Sequence, residues 1–325
     1  MREWKIAVAG TYPAGTFEKL KSSLGSAARL VAVQTQAEFD ALDDADIVLL
    51  RVLKMPARDI LRLPSLKAVF RWGAGFDTVD VRAAGARGVY VCNTPGANAH
   101  AVAELVVLMI LALGRKVLCY RAGIDSGQWT KNAYLDQSVT LHRKLVGIIG
   151  GGNIGRRVAQ AVQAFGASTQ YYDPRRMSGE EEARLALPFV PLAELLRTSD
   201  IVTLHVPLLP TTRHMIGAEQ IAQMKDGALL INCARGGLMD DGAVLRAVEA
   251  GKLSGAGIDT PEYEPPAADS ALRRNPNILL TPHIGGDVSD VGEVAIPMIS
   301  ENMKRLMRGE TPRYVVNAEY LTTPL

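Results

Sequence analysis

The sequence predicts an α/β protein built as two doubly wound units, each a parallel sheet covered by helices. Three observations carry this. Short apolar runs alternate with amphipathic helical stretches along the chain, the pattern of parallel strands joined by helical crossovers. The alternation falls into two series with a long helical stretch between them, and a length of 325 residues agrees with two domains. A glycine-rich loop opens the second series, between an apolar strand and a patterned helix.

In the first series the predicted strands are residues 6–9, 30–33, 47–50, 68–71 and 89–92, most of them closed by Gly, Pro or Asp. The turn Pro95-Gly96-Ala97-Asn98 then starts a helix over 99–115. Within it, residues 105–113 are the longest apolar stretch, bounded by Glu104 and Arg115. That is too short to cross a bilayer and reads as a buried helix. The second series has strands at 145–149, 168–172, 201–205, 228–232, 255–258 and 278–281, with helices at 154–165 and 242–250. Ile154, Val158, Ala161, Val162 and Phe165 recur at helical spacing, so they face the sheet. The stretch 260–269 is rich in Pro and Glu and reads as a loop between two strands, a common place for functional residues. A helix over 294–308 and an extended tail finish the chain.

Composition excludes several classes. With 36 basic and 34 acidic residues the net charge is +2, so no basic field calls for nucleic acid or an anionic membrane surface. Cys92, Cys119 and Cys233 make an odd count without Cys-x-x-Cys spacing, so neither a disulfide framework nor a metal site is expected. A reducing cytoplasm is the simplest compartment. The amino terminus reads as a first strand and not as a signal peptide.

The sharpest local signal is residues 145–155, Leu-Val-Gly-Ile-Ile-Gly-Gly-Gly-Asn-Ile-Gly, which gives G-x-G-x-x-G as Gly150, Gly152 and Gly155. The first glycine permits the tight turn, the second lets backbone approach a pyrophosphate, and the third lets helix and strand pack closely. The anion then meets free N–H groups at the positive end of a helix. The motif alone is weak, because glycine clusters also mark ordinary turns. Asp173 strengthens it, since it ends the next strand eighteen residues after Gly155 and can accept both hydroxyls of the adenosine ribose. A carboxylate there repels a 2′-phosphate, which favours NAD over NADP. Arg175 and Arg176 pull the other way, since a guanidinium can pair with that phosphate.

Ligands of open parallel sheets bind beyond the carboxyl ends of the strands. The later strands deliver there His205-Val206-Pro207, then Asn232-Cys233-Ala234-Arg235-Gly236-Gly237, then Asp259, then Thr281-Pro282-His283-Ile284-Gly285-Gly286. These residue types suit hydride transfer. Histidine is the usual acid–base at neutral pH, and His283 is the candidate. Glu264 on the Pro-rich loop is available to orient it. Arg235 can bind a substrate carboxylate and polarise the carbonyl beside it. Each has a plainer reading: His283 as a turn cap, Glu264 as a solvated loop residue, Arg235 as a partner for a helix C-terminus. Glu262 reads as a solvated loop residue, and His100, His142 and His214 as structural.

At this point the chain resembles the D-isomer-specific 2-hydroxyacid dehydrogenases, and within them the catalytic regions of the 3-phosphoglycerate dehydrogenases. The resemblance covers nearly the whole chain. It rests on Arg71-Trp-Gly-Ala-Gly-Phe-Asp77, on Asn93-Thr-Pro-Gly-Ala-Asn-Ala-His-Ala-Val-Ala-Glu104, on the glycine loop, and on the motifs His205-Val-Pro-Leu, Asn232-Cys-Ala-Arg-Gly236, Gly257-Ile-Asp259 and Thr281-Pro-His-Ile-Gly285. It implies a flavodoxin-like substrate domain from both chain ends, residues 1–98 and 288–325, with an NAD-binding Rossmann domain, 99–287, inserted between them. It implies that Arg235 binds the substrate carboxylate and carbonyl, that Glu264 and His283 form the acid–base pair, and that Asp259 holds the nicotinamide carboxamide. Asn153, Ile154, Asp173, Val206, Cys233 and Ala234 would line the dinucleotide, with His205, Pro207, Gly285 and Gly286 beside them. Backbone N–H groups of Gly73, Ala74 and Gly75 would reach the substrate carboxylate. Members of this family are usually homodimers, joined through the helix and arm after Glu104.

Two positions depart from the family pattern. Its usual Asp-Val-Phe-x-x-Glu-Pro reads here Asp259-Thr-Pro-Glu-Tyr-Glu264-Pro, and His100 stands where relatives carry Ser or Thr. No regulatory domain follows Leu325, so control through one is not expected. Arg51, Lys54 and Arg71 end strands of the first series and suit a phosphate or a second carboxylate, though ordinary surface charge fits them equally well. The expected substrate is a small 2-hydroxy or 2-keto acid, with 3-phosphoglycerate in view. The alternatives are glyoxylate or hydroxypyruvate reduction, or a non-catalytic NAD-sensing interaction protein of the same fold.

Overall fold

The computed structural model describes residues 3–321. The chain divides into two compact units, Met1–Asn98 with Val288–Leu325, and Ala99–Asp287.

The first unit is one parallel sheet of β1 (Trp4–Ala9), β2 (Ala28–Val33), β3 (Ile47–Leu50), β4 (Ala68–Arg71) and β5 (Tyr90–Cys92), in the order β2-β1-β3-β4-β5. That is the flavodoxin-like order. β3 and β4 are buried along their whole length, which explains why β3 and the first three residues of β4 read as apolar runs and not as alternation. The chain end returns to this unit as the helix Gly292–Met307, whose Ile296, Ile299, Met303 and Leu306 pack into the core with Ile6, Val8 and Phe70. Asn317 then stitches the segment to the sheet. Its Oδ1 accepts from Val91 N at 2.9 Å and its Nδ2 donates to Val89 O at 2.9 Å.

The second unit has six parallel strands: β6 (Leu145–Ile149), β7 (Ser168–Tyr172), β8 (Ile201–Leu204), β9 (Ala228–Asn232), β10 (Leu253–Ile258) and β11 (Ile278–Leu280). Their order is β11-β10-β9-β8-β6-β7. Phe189 makes a parallel bridge to Tyr171 at the outer side of β7. Taken as a rudimentary third strand of this unit, it restores the order 3-2-1-4-5-6 of dinucleotide-binding sheets, with β11 added as a seventh strand beside β10. The sequence reading placed no strand there, because Pro188 and Pro191 interrupt the apolar stretch around Phe189.

Two boundaries differ from expectation in ways that bear on the site. β8 stops at Leu204 and β11 at Leu280, so His205 and Thr281 lie in the loops beyond. The helix Ala99–Gly114 is buried on one side only. Val102, Val106, Met109, Ile110 and Leu113 face the core, whereas Leu108 is 58% exposed. The apolar run therefore serves an outer face as well, and its reading as a wholly buried helix is corrected. No helix among the described residues is long and apolar enough to cross a membrane.

Candidate active site

The glycine loop joins β6 to the helix Asn153–Ala164, whose Gly155, Val158, Ala159 and Val162 form its buried stripe. At Gly150 a side chain would meet the His205 carbonyl oxygen at 2.6 Å, and at Gly155 it would collide with the Gly150 carbonyl oxygen. Those two glycines answer to the protein's own packing. Gly152 does not: a Cβ there meets nothing within 4 Å. The open space lies at a helix N-terminus whose cap makes no side-chain hydrogen bond. First-turn amides have no intrahelical acceptors, so they face outward as an anion cradle. This fits a dinucleotide pyrophosphate.

Asp173 follows β7. Its Oδ2 accepts from Gly151 N at 2.9 Å and its Oδ1 from Arg175 N at 2.8 Å. The carboxylate is thereby fixed beside the glycine loop, with acceptor capacity left for hydroxyls. Arg176 is tied to Glu182 by two bonds, of 2.8 and 2.9 Å, and lies over the Phe189 ring. The Arg175 side chain is exposed.

Beyond the next strands, buried polar groups shape each loop. His205 Nε2 lies 3.0 Å from Thr203 Oγ1, and burial pushes its pKa down to about 3, so the ring is neutral at physiological pH. Asn232, fully buried, accepts from Ala234 N at 3.0 Å and donates to Arg235 O at 2.8 Å, which curls the loop that presents Arg235. Asp259, also fully buried, accepts from Thr281 Oγ1 at 2.6 Å, Ile284 N at 2.8 Å and Gly285 N at 2.8 Å, and its carbonyl takes His283 N at 2.9 Å. His283 sits between these anchors with φ of 57°, a left-handed conformation that a non-glycine residue adopts at a cost. There its Nδ1 meets Glu264 Oε2 at 3.0 Å. Glu264 holds the imidazolium and raises the His283 pKa, while burial and the nearby Arg235 guanidinium act to lower it. One strand-end cluster thus brings together a carboxylate–imidazole pair and a guanidinium.

Comparison with known proteins adds to this geometry. Residues 107–285 match the family described as D-isomer specific 2-hydroxyacid dehydrogenase, NAD binding domain. The chain is 35% identical over 300 residues to the D-3-phosphoglycerate dehydrogenase of Methanocaldococcus jannaschii, covering 92% of this chain and 57% of that protein. It is 34% identical over 300 residues to the glyoxylate reductase of Thermococcus litoralis, covering 91% and 88%. Among solved structures, the D-lactate dehydrogenase of Aquifex aeolicus complexed with NAD and lactic acid superposes with a TM-score of 0.82 at 28% identity, covering 94% and 96%.

The chain belongs to the D-isomer specific 2-hydroxyacid dehydrogenase family.

It carries the NAD-binding domain of this dehydrogenase family, and it spans about half the length of the phosphoglycerate dehydrogenases it matches. The residues expected to line the dinucleotide differ in exposure. Cys233 is buried, its thiol pushed well above its usual pKa by desolvation and its Sγ 3.6 Å from Met109 Sδ, so its side chain belongs to the core. Val206 is buried as well, while Asn153 and Pro207 are exposed, Ile154 and Ala234 half-buried, and Gly285 and Gly286 follow the His283 turn.

In the first unit, Gly73 N donates to Thr94 Oγ1 at 2.7 Å. Its N–H is thus already engaged, which corrects the expectation that it reaches a substrate and leaves Ala74 and Gly75 as the backbone candidates. Arg71 is only 8% exposed and donates to Gly75 O at 3.1 Å and Leu50 O at 3.0 Å. It braces the 73–75 loop and is not the ordinary surface charge that one of its two sequence readings allowed. Arg51 bonds the Thr11 carbonyl, and Lys54 is exposed.

Glu262 is likewise corrected. Far from being a solvated loop residue, it is largely buried and lies 2.9 Å from His214 Nε2. Sequence reading placed Asn232 and Thr281 at their strand ends without assigning their anchoring roles, and it missed this pair. Asn232 ends a wholly apolar strand, which was the available signal. The pair joins residues 48 apart and left none.

Proposed function

We propose that this protein is an NAD-dependent 2-hydroxyacid dehydrogenase acting through Arg235, Glu264 and His283. The observation that carries the reading is the 3.0 Å pair of Glu264 Oε2 and His283 Nδ1 next to Arg235. NADH, when bound, supplies the hydride. Arg235 pairs with the substrate carboxylate and draws electron density toward the carbonyl oxygen. Glu264 accepts from Nδ1–H, so the proton given to that oxygen leaves from Nε2 of His283. Oxidation runs the same proton back to Nε2. Asp259 fixes the turn that carries His283 and retains one acceptor site for a cofactor amide.

The substrate is a small 2-keto acid or its alcohol. The candidates are unphosphorylated acids such as glyoxylate and hydroxypyruvate and the phosphorylated 3-phosphohydroxypyruvate. An NADH assay with glyoxylate, hydroxypyruvate, pyruvate and 3-phosphohydroxypyruvate tests this. Turnover of none of them, with NADH binding intact, would instead support a non-catalytic NAD sensor.

The protein works as a homodimer. Leu108, Leu135 and Trp129 are 58%, 65% and 84% exposed along one stretch of the second unit, a cost that a covering partner removes. Light scattering that gives a monomer would overturn this. A cytoplasmic location fits the three free thiols.

The pH dependence follows from His283. Reduction needs the imidazolium, so kcat/KM is expected to hold at low pH and to fall as pH rises through a pKa above the usual histidine value. Glu264→Gln removes the largest raising influence, while burial and Arg235 still lower the pKa. The descending limb should move to lower pH; an unmoved limb argues against the pair. In the oxidation direction the ascending limb should move the same way.

Cofactor choice follows from Asp173. NADH should be preferred to NADPH, since a carboxylate beside a 2′-phosphate brings like charges together, and two hydrogen bonds to Glu182 withhold Arg176. Comparing kcat/KM for both cofactors in wild type and Asp173→Ala checks this. A wild-type preference for NADPH would overturn it, with exposed Arg175 the residue then responsible.

A further inference from the structure

We propose that Glu262 and His214 form a positioning pair that sets Arg235 and Glu264 at their working separation, an inference that rests on the catalytic reading of those two residues. Three loops meet here. His214 belongs to the loop after β8, Arg235-Gly236-Gly237 follow β9, and Glu262 and Glu264 follow β10. His214 Nε2 donates to Glu262 Oε1 at 2.9 Å, and His214 N donates to Gly237 O at 2.7 Å. Gly236 backs onto the Pro261 carbonyl so closely that a Cβ would collide with it. The contacts close a ring: His214 to Gly237, Gly236 to Pro261, and Glu262 back to His214.

The ring is clamped from one side. Asp241, in the first turn of the helix Asp241–Glu249, accepts from Glu262 N at 2.8 Å. Arg213 Nη2 stands 3.6 Å from Glu262 Oε1, and Asp240 caps the same helix through Ala243 N. Arg235 is the residue before Gly236, and Glu264 is two residues after Glu262. Loosening the ring therefore loosens both groups, while neither Glu262 nor His214 need touch the substrate. Loops are imprecise mounts for reacting groups, and a misplacement of about 1 Å can cost about 10²-fold in rate.

The test uses the keto acid turned over fastest in the panel, with NADH. Glu262→Ala and His214→Ala should each lower kcat/KM by about 10- to 100-fold with NADH affinity retained. Both should move the descending pH limb downward, as Glu264→Gln does, since Glu264 no longer holds His283. Glu262→Gln keeps an acceptor for the imidazole N–H and should restore most of the loss. Glu262→Ala combined with Glu264→Gln should be less than additive, because the part of the loss that runs through Glu264 is already gone while the part through Arg235 remains. A wild-type pH limb in Glu262→Ala, or full additivity in the double variant, would overturn the positioning role. A silent Glu264→Gln would instead sink the catalytic reading. Should Glu262→Ala fail to fold, His214→Ala carries the test, since the imidazole is partly exposed and its removal opens no core.

Discussion

Replacing His283 by alanine or glutamine is expected to lower turnover by about 10²–10⁴-fold, the usual loss when a general acid is removed. NADH binding should persist, because the glycine loop and Asp173 are held by their own contacts with β6 and β7. The loss should appear in kcat and in kcat/KM alike, since proton donation is made only in the transition state. Glutamine keeps a polar side chain of similar reach at this left-handed position, so it is the cleaner comparison. Fluorescence titration with NADH alongside steady-state kinetics separates binding from chemistry. Near-normal turnover in a folded His283→Gln variant would remove this residue from the reaction.

Arg235→Lys is expected to be nearly as damaging, with kcat/KM falling about 10²–10³-fold, the range seen when a donor to a developing oxyanion is lost. Lysine keeps the charge but lacks the planar fork that meets a carboxylate at two points. Asn232 fixes the backbone of this loop through the Ala234 N–H and the Arg235 carbonyl, so the loop cannot readily shift to let a shorter contact form. The apparent substrate constant should rise and kcat should fall together. The measurement is kcat/KM across the keto-acid panel. An unchanged value for every accepted acid would rule out the carboxylate-binding role.

Much of the site was legible before any fold was seen. The glycine loop announced itself because a tight turn, a close helix and an open approach each need glycine at a fixed offset. His283, Arg235 and Asp259 stood out because strand ends are readable from apolar runs and ligands lie beyond them. Glu262 was misjudged, and Arg71 left between two readings, for a common reason. A charged residue's sequence neighbours say where the backbone goes, not which distant group meets the side chain. Gly73 shows the same limit: nothing near it in sequence reveals that Thr94 holds its N–H.

By itself, then, the sequence determined the alternating elements, the parallel sheets, the glycine loop and the residues offered at each strand end. These follow from local periodicity and local turn chemistry, which act over a few residues. Tertiary structure alone decided which of those residues meet. It joined Glu264 to His283 across 19 positions and His214 to Glu262 across 48, and it brought Asn317 back to β5 from 226 positions away. It also left the outer face of the helix Ala99–Gly114 uncovered by its own core. Such pairings depend on strand order and loop packing, which the whole chain sets together, so no short window of sequence contains them.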